Sequence, residues 1–311
     1  MQTVLITGGS GLIGKRLTKL LNDKGYHVII LSRSVKEKQN SGQVSYALWD
    51  IKKQTIDVQA VQSADIIIHL AGEGVVDKRW THAYKADILE SRTQSSRLII
   101  DTLQKHSNQV KTIVSASAIG WYGADKEPGN YFTEADKPAE DFLGQTCVLW
   151  EQSILPAAAM DIRVCILRTG IVLSNEGGAL AEFKKPIKFG IAAILGSGKQ
   201  MISWIHVDDL CRMYIYAIEN NAMNGSYNAV ANTPVTNKEL TLKFAEKIKG
   251  KFFIPLHVPA FILKIILGGS SIEVLKSASV SNKKIKEAGF TFLYPSIEAA
   301  LSELTGKRSK I

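Results

Sequence analysis

The sequence predicts an α/β protein: a doubly wound parallel sheet followed by a smaller C-terminal α/β lobe that would hold substrate. Three observations predict it. Short β-branched runs alternate with helical stretches along the first half of the chain. Those runs are continuously apolar rather than alternating, which marks strands buried on both faces. The composition, 45% hydrophobic and 22% charged over 311 residues with a mean hydropathy of +0.02, is that of a globular protein and excludes fibrous, disordered and disulfide-scaffold classes.

The elements follow in order. Val4-Leu5-Ile6 is the first strand, and a glycine-rich turn then opens a helix over 15–24. Val28-Ile29-Ile30-Leu31, Tyr46-Ala47-Leu48-Trp49 and Ile66-Ile67-Ile68 supply the next strands. A helical stretch at 99–105 precedes the strands Thr112-Ile113-Val114 and Val164-Cys165-Ile166-Leu167. Beyond about residue 175 the pattern loosens around Gly177, Gly178, Gly190, Gly196 and Gly198, which mark loops. Residues 1–175, with part of 203–235, are therefore expected to form a dinucleotide-binding Rossmann domain, and 176–202 with 236–311 the smaller lobe. Within these, 204–218 reads as a strand and helix rejoining the first lobe, and 238–249 and 296–304 as helices.

Charge and targeting signals narrow the partners. The net charge is +9, and from residue 243 onward twelve Lys and Arg face five Asp and Glu, so the basic balance is mostly C-terminal. No nucleic-acid signature accompanies it, and Lys307, Arg308 and Lys310 read as a solvated tail. The apolar run 259–269 is broken by Lys264 and is shorter than the ~20 residues a bilayer span requires, so it is expected to be a buried or surface amphipathic helix. Neither nucleic acid nor membrane is expected as a partner; a small-molecule substrate is, with a homodimer as the oligomeric option. Cys147, Cys165 and Cys211 are too few and too scattered for a disulfide framework or a metal site, which points to a reducing cytoplasmic compartment with no metal.

The strongest local signal is Thr7-Gly8-Gly9-Ser10-Gly11-Leu12-Ile13-Gly14, set between a strand and a helix. The spacing permits a tight turn at Gly8, backbone approach to a pyrophosphate at Gly11, and close helix packing at Gly14. The N–H groups of the helix start, with Ser10, Leu12 and Ile13, would face the phosphates. At the end of the second strand an acidic residue would bond the ribose 2′-hydroxyl of NAD. Here Ser32-Arg33-Ser34 stands instead, and a guanidinium suits a 2′-phosphate, so NADP is the expected cofactor. Asp50-Ile51 and His69-Leu70-Ala71-Gly72-Glu73 end later strands, where doubly wound sheets bind ligands.

With these residues the chain resembles an extended short-chain dehydrogenase/reductase of the nucleotide-sugar epimerase type. The resemblance implies that Asp50 contacts adenine and that the Leu70-Ala71-Gly72 backbone lines the ribose and pyrophosphate. Asp87-Ile88-Leu89-Glu90-Ser91-Arg92, Ser117-Ala118-Ile119-Gly120-Trp121-Tyr122-Gly123, Arg168-Thr169-Gly170-Ile171-Val172-Leu173 and Ser203-Trp204-Ile205-His206-Val207-Asp208-Asp209-Leu210 are more specific. They resemble the atypical epimerase-family proteins often labelled cell-division inhibitors, across essentially the whole chain. Asp87, Arg92 and Ile171 complete the cofactor-binding candidates.

The chemistry departs from that pattern. Typical members use Tyr-x-x-x-Lys, whose lysine lowers the tyrosine pKa for proton exchange. If Glu151 aligns with the glutamate that usually follows, the pair falls on Leu143 and Cys147, which cannot replace it. Tyr122 then becomes the candidate proton donor and Ser117 the candidate substrate-orienting hydroxyl. Histidine as a residue type can serve as a base near neutrality, which draws attention to His206, but that residue sits in a segment expected to shape the junction of the lobes, with Trp204 as a pocket wall and Asp208 or Asp209 capping the next helix. Two functions remain: an NADP-dependent oxidoreductase or epimerase-like enzyme acting on a small carbonyl or sugar-like compound, and a catalytically silent NADPH-binding sensor or regulator.

Overall fold

A computed structural model describes residues 1–35, 40–125, 127 and 129–306; the basic tail at 307–310 lies outside the described residues. In chain order the strands are Thr3–Thr7 (β1), His27–Ser32 (β2), Val44–Asp50 (β3), Thr55–Ile56 (β4), Ile66–His69 (β5), Thr112–Ala118 (β6) and Arg163–Thr169 (β7). They continue with Ile171–Ser174 (β8), Gly177–Gly178 (β9), Ile191–Leu195 (β10), Met201–Ile202 (β11), Trp204–His206 (β12), Gly225–Ala229 (β13), Val235–Thr236 (β14) and Ile254–Val258 (β15). The helices are Leu12–Asp23 (α1), Val58–Gln62 (α2), His82–Lys105 (α3), Phe142–Ile154 (α4), Ala179–Lys188 (α5) and Val207–Glu219 (α6). Asn237–Lys249 (α7), Ala260–Leu267 (α8), Ser271–Leu275 (α9), Lys283–Glu287 (α10) and Ile297–Leu304 (α11) follow.

The main sheet has the order β13-β7-β6-β5-β1-β2-β3-β4 and is parallel except for β4. Its strands are buried on both faces, as their apolar runs require. Val4 and Ile6 of β1 pack in one core with Leu17 and Leu21 of α1 and Leu210 and Tyr214 of α6. Leu5, between them, points the other way into a core with Ile99 and Leu103 of α3. Because β1 neighbours both β2 and β5, the chain order reverses there, and doubly wound sheets bind ligands in the crevice beyond the carboxyl ends of strands at such a point.

Leu180 and Ile187 of α5, Leu240 and Phe244 of α7 and Leu301 of α11 form a further core around Trp204. Trp204 is buried, and its indole N–H donates to Thr233 O at 3.0 Å, so it is a core residue and not a pocket wall. The cap of α6 also differs from the sequence expectation. His206 Nδ1 accepts from Asp208 N at 3.1 Å and takes the N-cap role. Asp208 instead pairs with Arg16 of α1 through both carboxylate oxygens, at 2.6 and 2.9 Å. Asp209 is buried and accepts from Leu293 N and Tyr294 N, latching the C-terminal segment onto α6.

Candidate functional site

The glycine-rich turn is built by close approach of backbone to backbone. Gly8 has φ +69°, and a Cβ there would lie 2.9 Å from Leu70 C, so only glycine lets the turn pass the end of β5. A Cβ on Gly14 would lie 2.4 Å from Gly8 O, so this glycine packs the helix against the turn itself. Gly11 is the N-cap of α1 and is exposed; no side chain caps the helix and its first turn holds no acidic residue. The first N–H groups of α1 are thereby left to an anion, which fits the diphosphate of a dinucleotide.

A buried polar network fixes this turn against β5 and α3. Thr7 Oγ1 accepts from Leu70 N at 3.0 Å and Ala71 N at 3.1 Å, so its own O–H donates to His69 Nδ1, 2.7 Å away. His69 Nε2 then carries the proton and faces Ser96 Oγ at 3.1 Å and Ser95 Oγ at 3.2 Å. Both serine hydroxyls donate to Arg92 O at 2.9 Å. Burial pushes the His69 pKa down to about 3. The unfolded chain takes up a proton at the ordinary value and the folded chain does not. The stabilisation is therefore complete above pH ~6.5 and is lost as pH falls toward ~3, by up to ~1.4 kcal/mol per pH unit. In NMR titration the His69 ring should keep the signature of its neutral Nε2–H tautomer at pH 5, whereas titration near the ordinary histidine value would contradict the network.

The remaining cofactor candidates lie around the crevice. Ser10 is exposed in the turn; Leu12 packs toward Gly177 and Gly178, and Ile13 lies against the core beneath α1. Ser32 Oγ donates to Ser34 O at 2.8 Å, and exposed Arg33 meets no carboxylate among the described residues. Asp50 Oδ1 accepts from Lys52 N and Lys53 N, closing the turn in which Ile51 sits. Leu70, Ala71, Gly72 and Glu73 leave the end of β5 beside the glycine turn. Arg92 braces them: Nη1 donates to Glu73 O at 2.9 Å and to Ile88 O at 2.8 Å, and the guanidinium stacks over Trp150. Asp87 is exposed on α3, and Ile171 starts β8.

Behind the crevice stands a second network, of which the sequence reading identified only part. Glu151 of α4 and Arg168 of β7 form a buried two-point ion pair at 2.8 and 2.9 Å. Ser117 Oγ donates to Glu151 Oε1 at 2.7 Å. Arg168 Nη1 donates to Tyr122 Oη at 3.1 Å, and Tyr122 O–H donates to Asn228 Oδ1 at 2.7 Å. Tyr122 is buried and stacked on Phe132, and burial pushes its pKa up to about 12. Cys147 is buried with its pKa also raised to about 12 by burial, and its Sγ lies 3.6 Å from Ala118 O. Ser117 and Tyr122 are thus both held in buried hydrogen bonds, and the burial that raises the Tyr122 phenol opposes proton exchange at neutral pH. His206 is likewise buried, with Nε2 2.9 Å from Glu303 Oε2.

Tyr122→Phe should lower stability by about 1–3 kcal/mol, because Asn228 Oδ1 and Arg168 Nη1 each lose a buried partner. Cofactor affinity should stay unchanged. Urea unfolding and NADPH titration of the same variant read both quantities, and a variant as stable as the parent would contradict the assignment.

Comparison with known proteins agrees with this geometry. The model of the NAD dependent epimerase/dehydratase family matches residues 4–230, spanning the main sheet, and a domain of unknown function (DUF1731) matches 258–304. The chain is 36% identical over 309 residues to epimerase family protein YfhF of Bacillus subtilis, covering 99% of each chain. It is 33% identical over 308 residues to epimerase family protein SAR0825 of Staphylococcus aureus, covering 99% of this chain and 100% of that one. The crystal structure of human epimerase family protein SDR39U1 with NADPH superposes with a TM-score of 0.85 at 27% identity, over 98% of this chain and 99% of that one. With the crossover at β1 and the glycine turn in place, a match over most of the chain has one reading: it belongs to the NAD dependent epimerase/dehydratase family.

Proposed function

We propose that this protein binds NADP(H) at the carboxyl ends of β1, β2 and β5 and works as an oxidoreductase or epimerase-like enzyme on a small carbonyl or sugar-like compound. One juxtaposition carries the reading: an uncapped helix start at Gly11, and a cation unpaired among the described residues, Arg33, just beyond the neighbouring strand β2. Gly8 and Gly11 would admit the diphosphate to the N–H groups of α1, and Arg33 would pair with the 2′-phosphate. The backbone of Leu70, Ala71 and Gly72 would line the ribose side. A bound nicotinamide supplies or accepts hydride. The NADPH of the human SDR39U1 structure supports the phosphorylated cofactor.

Arg33→Asp tests the cofactor assignment. The variant should lose at least ~1.4 kcal/mol of NADPH binding, a factor of ten, and gain relative affinity for NADH. Unchanged NADPH affinity in a folded variant would remove Arg33 from the site.

A second reading, an NADPH-binding sensor without turnover, is favoured by one observation. With Glu151 aligned to the usual glutamate, the Tyr-x-x-x-Lys positions hold Leu143 and Cys147, both buried, and the nearby phenol is sealed into the second network. NADPH absorbance followed against a panel of aldehydes, ketones and nucleotide sugars separates the two. Consumption supports the enzyme, and tight binding with no consumption supports the sensor.

A further inference from the structure

We infer that the C-terminal lobe docks on an anionic membrane surface through the bare face formed by β10, β15 and α8. β10 and β15 pair in parallel, with Ile191 opposite Ile254 and Ala193 opposite Leu256. Ala192 and Ile194 of β10 are buried, Ala192 in one core with α5 and α7. The alternate positions point to the other face, where Ile254 and Leu256 stand exposed. At one end of this ribbon Phe189 is 85% and Phe252 87% exposed. At the other, α8 buries only Leu263, while Phe261 and Ile265, one turn apart, are 63% and 65% exposed.

The outward side of α8 thus carries three large apolar side chains, Phe261, Ile265 and Ile266, beside Lys264, and Arg79 holds the helix in place by donating to the carbonyls of Ile265 and Ile266. Soluble monomers rarely group so many exposed aromatic and aliphatic side chains on successive elements, and such a grouping marks a partner. The charges name its kind. Lys188 and Lys251 adjoin the two exposed phenylalanines, Lys249 ends α7, and Lys264 flanks the apolar side of α8. None of the four has a carboxylate partner among the described residues. The core of a protein interface is depleted of lysine, whereas aromatic and aliphatic side chains ringed by unpaired lysines suit the headgroup layer of an acidic bilayer. At eight residues α8 would lie in that layer, and no described helix is long and apolar enough to cross a membrane. This inference departs from the sequence expectation of no membrane partner. This inference does not depend on the cofactor reading.

Co-sedimentation of the full chain with vesicles tests it. Phosphatidylcholine containing about 30 mol% phosphatidylglycerol should bind the protein at least ~10-fold more tightly than phosphatidylcholine alone, and added salt should weaken the binding. The pairs Phe261→Ser with Ile265→Ser, and Lys188→Glu with Lys251→Glu, should each reduce binding at least ~10-fold. Both pairs face solvent, so thermal unfolding and NADPH affinity should stay at the parent values. No sedimentation with acidic vesicles would overturn the inference, as would sedimentation that both variants retain. A concentration-dependent dimer in lipid-free buffer that Phe261→Ser abolishes would also overturn it, by making a second copy of the chain the occupant.

Discussion

Replacing Arg168 by methionine should cost the fold about 3–5 kcal/mol in urea unfolding at neutral pH, because it strands the Glu151 carboxylate in the interior with only hydroxyl donors. Those donors are Ser117 Oγ at 2.7 Å and Ser226 Oγ at 3.3 Å. The same substitution removes the guanidinium that lies 3.6 Å over the Trp121 ring and leaves Tyr122 Oη without its cationic partner. A buried ion pair adds little net stability over apolar residues of similar volume, since desolvation offsets most of the attraction. The double variant Arg168→Met, Glu151→Leu should therefore recover most of the loss. A single variant within ~1 kcal/mol of the parent would show that Glu151 is solvated or protonated without cost, contrary to the buried pair described above.

Gly11→Val should reduce NADPH affinity at least ~100-fold, about 2.7 kcal/mol, while leaving the thermal midpoint close to that of the parent. The backbone at Gly11, φ −76° and ψ 177°, is open to any residue, and a Cβ there would meet only Gly8 O at 3.3 Å. The valine side chain would instead stand where the turn offers its N–H groups to phosphate. Gly14→Val provides the contrast. Its Cβ would overlap Gly8 O and Gly9 Cα, so the turn itself should fail and stability should fall with affinity. Undiminished NADPH binding by a folded Gly11→Val variant would place the phosphate site elsewhere.

The strands of the main sheet were legible because Val4-Leu5-Ile6 and Ile66-Ile67-Ile68 are apolar at every position, which few settings other than a sheet covered on both faces permit. The first part of α3 was not, since within that helix only 99–105 reads as helical. The helix begins at His82, but Ser91, Thr93, Ser95 and Ser96 hide its periodicity by bonding back to backbone carbonyls or to His69. The two-residue β4 carries no pattern long enough to read. Among the site residues, the glycine turn was visible because strand, glycines and helix are contiguous. The Thr7–His69 and Tyr122–Asn228 contacts join residues 62 and 106 positions apart, and spacing alone cannot announce them. Arg168 stood inside a noted motif, yet its pairing with Glu151 required knowing that β7 and α4 meet. The helix cap at His206 was missed because Asp208 and Asp209 are the more usual capping residues, and here each is engaged elsewhere, by Arg16 and by the C-terminal segment.

Calorimetric titration of the unmodified protein with NADPH and with NADH, under identical buffer and salt, tests the central claim most directly. Saturable binding of one nucleotide per chain, with NADPH at least ~10-fold tighter than NADH, is the predicted result. Equal affinity for the two, or no binding of either, would contradict it.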